Sequence, residues 1–80
     1  MSTEQPAPRR RMLKSARLVF NGGHSALSCV LRDMSETGAR VSLENTMDVP
    51  DEVQLLLDDG TRHECLVARR QLKEIGLRFR

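Results

Sequence analysis

Aromatic residues are almost absent from this chain: it has no Trp and no Tyr, and its two Phe are Phe20 and Phe79. A single-strand nucleic-acid groove that interleaves basic residues with aromatic platforms is therefore poorly supplied, although arginine planes substitute in part. No apolar run approaches the length that spans a bilayer, so membrane insertion is not expected. The first residues, MSTEQPAPRRR, lack the apolar middle of a secretory signal, and a cytoplasmic protein is expected. Cys29 and Cys65 could form one disulfide or serve as core thiols. Nothing points to an oxidising compartment, and both fall on apolar strand faces, which favours the core. His24 and His63 have no partner at the short spacing of structural zinc sites. No Gly-rich phosphate loop or nucleophile turn is present, so neither a metal, a cofactor nor an enzyme is expected.

What is present reads as strands. Eighty residues make one domain with a modest core. Residues 1–8 are polar with Pro6 and Pro8 and read as a disordered tail, leaving 9–80 as the domain. From Lys14 the apolar residues alternate. KSARLVF aligns Ala16, Leu18 and Phe20, and SALSCVLR aligns Leu27, Cys29 and Leu31. GARVSLE aligns Ala39, Val41 and Leu43, while EVQLLLD aligns Val53, Leu55 and Leu57. TRHECLVARRQ follows, and EIGLRFR aligns Ile75, Leu77 and Phe79. NGG at 21–23 marks a hairpin because Asn and Gly accept positive φ. NTMDVPDE, with Pro50, reads as a loop. Six antiparallel strands in so short a chain close most economically into a small barrel, which removes exposed edges.

The net charge of +2 conceals a segregation. Arg9, Arg10, Arg11, Lys14 and Arg17 oppose only Glu4, and Arg69, Arg70, Lys73, Arg78 and Arg80 oppose only Glu74. Between them, residues 33–64 carry nine acids against Arg40 and Arg62. Basic ends around an acidic middle suit a compact anionic ligand more than bulk nucleic acid; solvated surface charge is the alternative.

The second and third strands are joined by DMSETG, residues 33–38. A turn alone accounts for Asp33, Ser35 and Gly38, because Asp and Ser bond nearby backbone N–H groups and Gly accepts positive φ. If strands one and two form a hairpin, however, RRRMLK at the start of the first lies beside DMSETG at the end of the second. Arginines bind phosphates bidentately and stack on bases, while a carboxylate accepts from paired N–H donors. Such a cluster suits a ligand with phosphates and a guanine-like edge.

On these residues the chain resembles the PilZ family, small β-barrels that act as bacterial receptors for the second messenger cyclic di-GMP. DMSETG fits the family's (Asp/Asn)-x-Ser-x-x-Gly motif, RRRMLK stands where the family keeps Arg-x-x-x-Arg, and IGLRF resembles its closing strand. One departure is plain: no two arginines there stand four apart, and the nearest match is Arg10-x-x-x-Lys14 with Arg11 adjacent. Lys holds a phosphate as a point charge but neither stacks nor grips bidentately. The resemblance implies that Arg10, Arg11 and Lys14 fold over the ligand and that Asp33 and Ser35 bond its guanine, with Gly38 shaping the turn. Arg40, outward beside that turn, is added here as a phosphate contact, with Arg9 and Arg17 as auxiliary cations. The basic segment would order on binding and pass the signal to a downstream protein in motility, exopolysaccharide production or adhesion. A PilZ-like protein-interaction module without nucleotide is the alternative, and a single-stranded nucleic-acid-binding barrel a distant one.

Overall fold

The computed structural model describes residues 10–80, Arg10 by its backbone alone. The expected disordered tail, Arg9 and the Arg10 side chain lie outside the described residues. Six strands follow one another: β1 Arg10–Phe20, β2 Ser25–Met34, β3 Gly38–Ser42, β4 Glu52–Leu57, β5 Arg62–Arg70 and β6 Glu74–Phe79. All pairings are antiparallel, and the order β1-β2-β3-β6-β5-β4 closes on itself as a barrel, as the alternation predicts. Closure depends on β1. One of its edges pairs with β2 from Arg10 to Phe20, and the other takes Gln54–Leu57 of β4 opposite Ala16–Val19. Asn21, Gly22 and Gly23 supply the positive φ of the β1–β2 turn, and His24 N–H donates to the Asn21 carbonyl at 3.1 Å. Among the described residues no helix is long and apolar enough to cross a membrane.

The inward positions form one core. Leu18, Val41, Leu55, Cys65 and Ile75 are fully buried, and Ala16, Cys29, Leu31, Ala39, Val53 and Leu77 fill the space around them. Each fully buried Leu or Ile contributes about 2 kcal/mol by leaving water. Phe20 and Phe79 are partly buried against this core, and His63 stacks on Phe79 with ring centroids 4.3 Å apart. Both cysteines are free and buried. Burial pushes the Cys29 thiol up to about 12 and the Cys65 thiol up to about 11.

The structure departs from the alternation in three places. β1 begins at Arg10 rather than Lys14, so the basic segment opens the first strand instead of preceding it. β2 runs past Arg32 to Met34. The β3–β4 loop also contributes to the core, burying Val49 and Thr46. Thr46 Oγ1 donates to the Gln71 carbonyl at 2.6 Å, tying the loop to the β5–β6 turn. Arg70 clamps the same loop, donating to the Thr46 carbonyl at 2.5 Å and pairing with Asp51 at 3.3 Å.

Leu55→Ala should lower unfolding free energy by about 3 kcal/mol in a denaturant titration, because it leaves a cavity at the barrel centre. Both thiols should resist alkylation in the folded chain and react once it is unfolded. Their raised folded values also set a direction with pH. The stabilisation from keeping them neutral is complete below the ordinary thiol value of 9.0 and is lost as pH rises toward 11–12.

Candidate functional site

The candidate site is produced by interruptions of the strand alternation. Leu31 on β2 pairs with Val41 on β3, yet the next pair is Asp33 with Arg40, so β2 spends two residues where β3 spends one. This bulge reverses the alternation. Leu31 faces the core, Met34 returns to pack on it opposite Ala39, and Asp33 turns to the outer face with Arg40. A second irregularity lies across from it on β1. Arg11 pairs with Asp33 and Lys14 with Leu31, and Leu13 in between adopts a φ of 47°.

Opposed residues on antiparallel strands project to one face, so the register draws a row across the outside of the barrel: Arg11, Asp33, Arg40. Asp33 is the buried member, only 6% exposed. Its Oδ2 accepts from Arg40 Nη2 at 2.6 Å, and Arg40 Nε lies 3.8 Å from Glu74 Oε2. Arg40 is thus held between two carboxylates and fixes the position of the Asp33 carboxylate. Among the described residues Arg11 makes no ion pair.

Ser35 and Gly38 sit in the β2–β3 turn beside this row. Ser35 N–H donates to the Gly38 carbonyl at 2.8 Å, and Ser35 Oγ accepts from Thr37 N–H at 3.2 Å, close to the Thr37 hydroxyl at 3.2 Å. The half-buried Ser35 hydroxyl also lies 3.5 Å from the Gly38 carbonyl, so it stays within the turn two residues after Asp33. Gly38 has a different reason to be glycine from the one its turn position suggests, since its φ is not positive. A Cβ at 38 would lie 2.2 Å from the Leu77 carbonyl oxygen, so the glycine lets β6 approach β3.

The residues singled out in the sequence are therefore only partly assembled. Arg11, Asp33, Ser35 and Arg40 come together with the Gly38 turn, and the Arg10 backbone lies opposite Met34. Lys14 does not join them. It pairs with Leu31 on the other side of the irregularity, is exposed, lies outside the stretch paired with β4, and its charge acts on Asp59. The Asp59 carboxyl is held below its ordinary value mainly by the Thr61 backbone N–H, with a smaller contribution from Lys14. Arg17 pairs with Ser28, further along β1. Among the described residues no three His, Cys, Asp or Glu gather to hold a metal ion. Neither Phe offers a free stacking face in the row, because both pack against the core.

Comparison with known proteins bears on the family of the barrel. Residues 6–80 match the family model of the PilZ domain, nearly the whole chain. No curated protein matches.

Gly38→Ala should destabilise the fold by about 3 kcal/mol in thermal or denaturant unfolding, because the added methyl meets backbone rather than a movable side chain. Unchanged stability would show that β6 does not need this approach.

Proposed function

This chain belongs to the PilZ domain family, and we propose that it is a cytoplasmic receptor for the bacterial second messenger cyclic di-GMP. The observation that supports this reading most is the outer row Arg11–Asp33–Arg40 beside the Ser35–Gly38 turn. PilZ domains are receptor and adaptor modules rather than enzymes, and the site has the chemistry of binding. Guanine presents neighbouring N–H donors, which the fixed Asp33 carboxylate accepts, with the Ser35 hydroxyl at its side. Arg11 and Arg10 take phosphate oxygens bidentately or stack on the bases. Arg40, already neutralising Asp33, shares its guanidinium with a phosphate when the guanine takes over part of the carboxylate.

The switch in this reading is the start of β1. Among the described residues, only the pairs Arg10–Met34 and Arg11–Asp33 lie beyond the irregularity at Leu13. Two pairs are a small barrier to rearrangement, so a ligand at Asp33 can draw the basic segment across itself and bring Lys14 round from the Asp59 side. The reordered segment then presents a new surface to a downstream protein, in the motility, exopolysaccharide or adhesion systems that the family serves. A second reading, a PilZ module that binds a protein partner without nucleotide, draws on one observation: Lys14 stands away from the row.

Calorimetric titration separates the two. The intact chain should bind cyclic di-GMP saturably, in the micromolar range or tighter, with no binding of GTP. Asp33→Ala should abolish that binding while the barrel still unfolds cooperatively. Absence of heat from the wild-type chain favours the protein-interaction reading, and undiminished binding by a folded Asp33→Ala chain removes Asp33 from the site.

A further inference from the structure

The outer row does not stop at Arg40. Arg40 pairs with Gly76 on β6, and Gly76 pairs with Arg69 on β5, so the same face continues through a glycine to another arginine. Here too the strand is irregular: Val67 pairs with Leu77 and Arg69 with Gly76, a register shift that re-aims Arg69. The neighbouring Arg70 falls opposite the buried Ile75 and clamps the β3–β4 loop, whereas Arg69 is exposed and has no ion-pair partner among the described residues. A Cβ at position 76 would stand 3.3 Å from the Arg69 Cβ. The glycine therefore leaves open a floor between the two guanidiniums, and a cleft of about 590 Å³ borders Arg40, Arg69, Glu74 and Gly76. Counting Arg78 beside Gly38, the patch sets Arg11, Arg40, Arg69 and Arg78 against Asp33 and Glu74, an excess of positive charge.

We propose that Arg69, with Arg40 across the Gly76 floor, forms a second anion seat that takes the far phosphodiester of the dinucleotide. This rests on the reading of the Asp33 site given above. With a guanine edge on Asp33 and one phosphate at Arg11, the other phosphodiester extends over β3 toward β6 and β5. At about 4.8 Å per strand the Asp33 and Arg69 backbones are three steps, roughly 14 Å, apart around the barrel. Long arginine side chains reach in from both sides of that interval. Glu74 holds Arg40 Nε at 3.8 Å, which orients the fork toward the cleft's border without satisfying all of its donors. Arg69 supplies the unneutralised charge.

The test is calorimetry on the intact chain and on Arg69→Gln, a surface change expected to leave the unfolding midpoint unmoved. Cyclic di-GMP affinity should fall about tenfold in the variant, a size typical of one lost charge-assisted contact, and its salt dependence should weaken. Affinity within twofold of wild type, with binding still abolished by Asp33→Ala, would overturn the seat and leave the receptor reading standing. If the wild-type chain does not bind cyclic di-GMP, the receptor reading fails on its own. Inorganic pyrophosphate followed by amide NMR then decides the seat. Shifts centred on Gly76 and Arg69 that vanish in Arg69→Gln support it, and their absence refutes it.

Discussion

Everything at the candidate site depends on one extra residue in β2. Without the bulge between Leu31 and Asp33, the alternation that buries Cys29 and Leu31 would send Asp33 into the barrel. A carboxylate there would lack a partner among apolar side chains, at a cost of several kcal/mol. With the bulge, Asp33 turns outward, Met34 takes the inward place, and the carboxylate finds Arg40 at 2.6 Å. The barrel keeps a dry core, and the surface gains a fixed acceptor. Irregular register on β1 and β5 falls along the same row, which makes this strip of the barrel the part where side-chain direction is set by local geometry rather than by the period of two.

That distinction explains what was legible in the sequence. The closed barrel followed from alternation and turn residues, and so did most of its core, because a period of two survives in Ala16–Leu18, Leu27–Leu31, Val53–Leu55 and Ile75–Leu77. The neighbourhood of Asp33 and the basic segment followed from hairpin pairing alone. The bulges left no such signal: RRML at the head of β1 carries neither alternation nor a turn residue, and Arg32-Asp33 looks like any polar strand end. Hence β1 begins four residues before the expected Lys14, and Arg11 and Lys14 diverge. Val49 and Thr46 were hidden for another reason, since a loop that packs on a barrel end shows no period. Arg69 and Arg70 are adjacent, chemically identical and both exposed, yet Arg70 clamps a loop while Arg69 has no ion-pair partner among the described residues; only the register separates them.

Gly38 shows how a motif residue can be right for an unforeseen cause. Its place in DMSETG suggested a positive φ, whereas the constraint is the Leu77 carbonyl pressing where a side chain would begin. Strand packing and the turn beside Asp33 therefore share one residue. This coupling binds the β2–β3 turn to β6, the strand that also carries Gly76 and Glu74 beneath the arginine row. The outer row is held by β3 and β6, and at the head of β1 by the pairs Arg10–Met34 and Arg11–Asp33 beyond the irregularity at Leu13.

The most direct measurement is an amide NMR titration of the intact chain with cyclic di-GMP, with GTP as the control. The expected result is saturable change confined to the head of β1, the residues from Asp33 to Arg40 and the facing part of β6, with nothing comparable from GTP. No change, or change centred on the opposite wall of the barrel around Gln54 and Glu64, would contradict the assignment of the outer row as the nucleotide site.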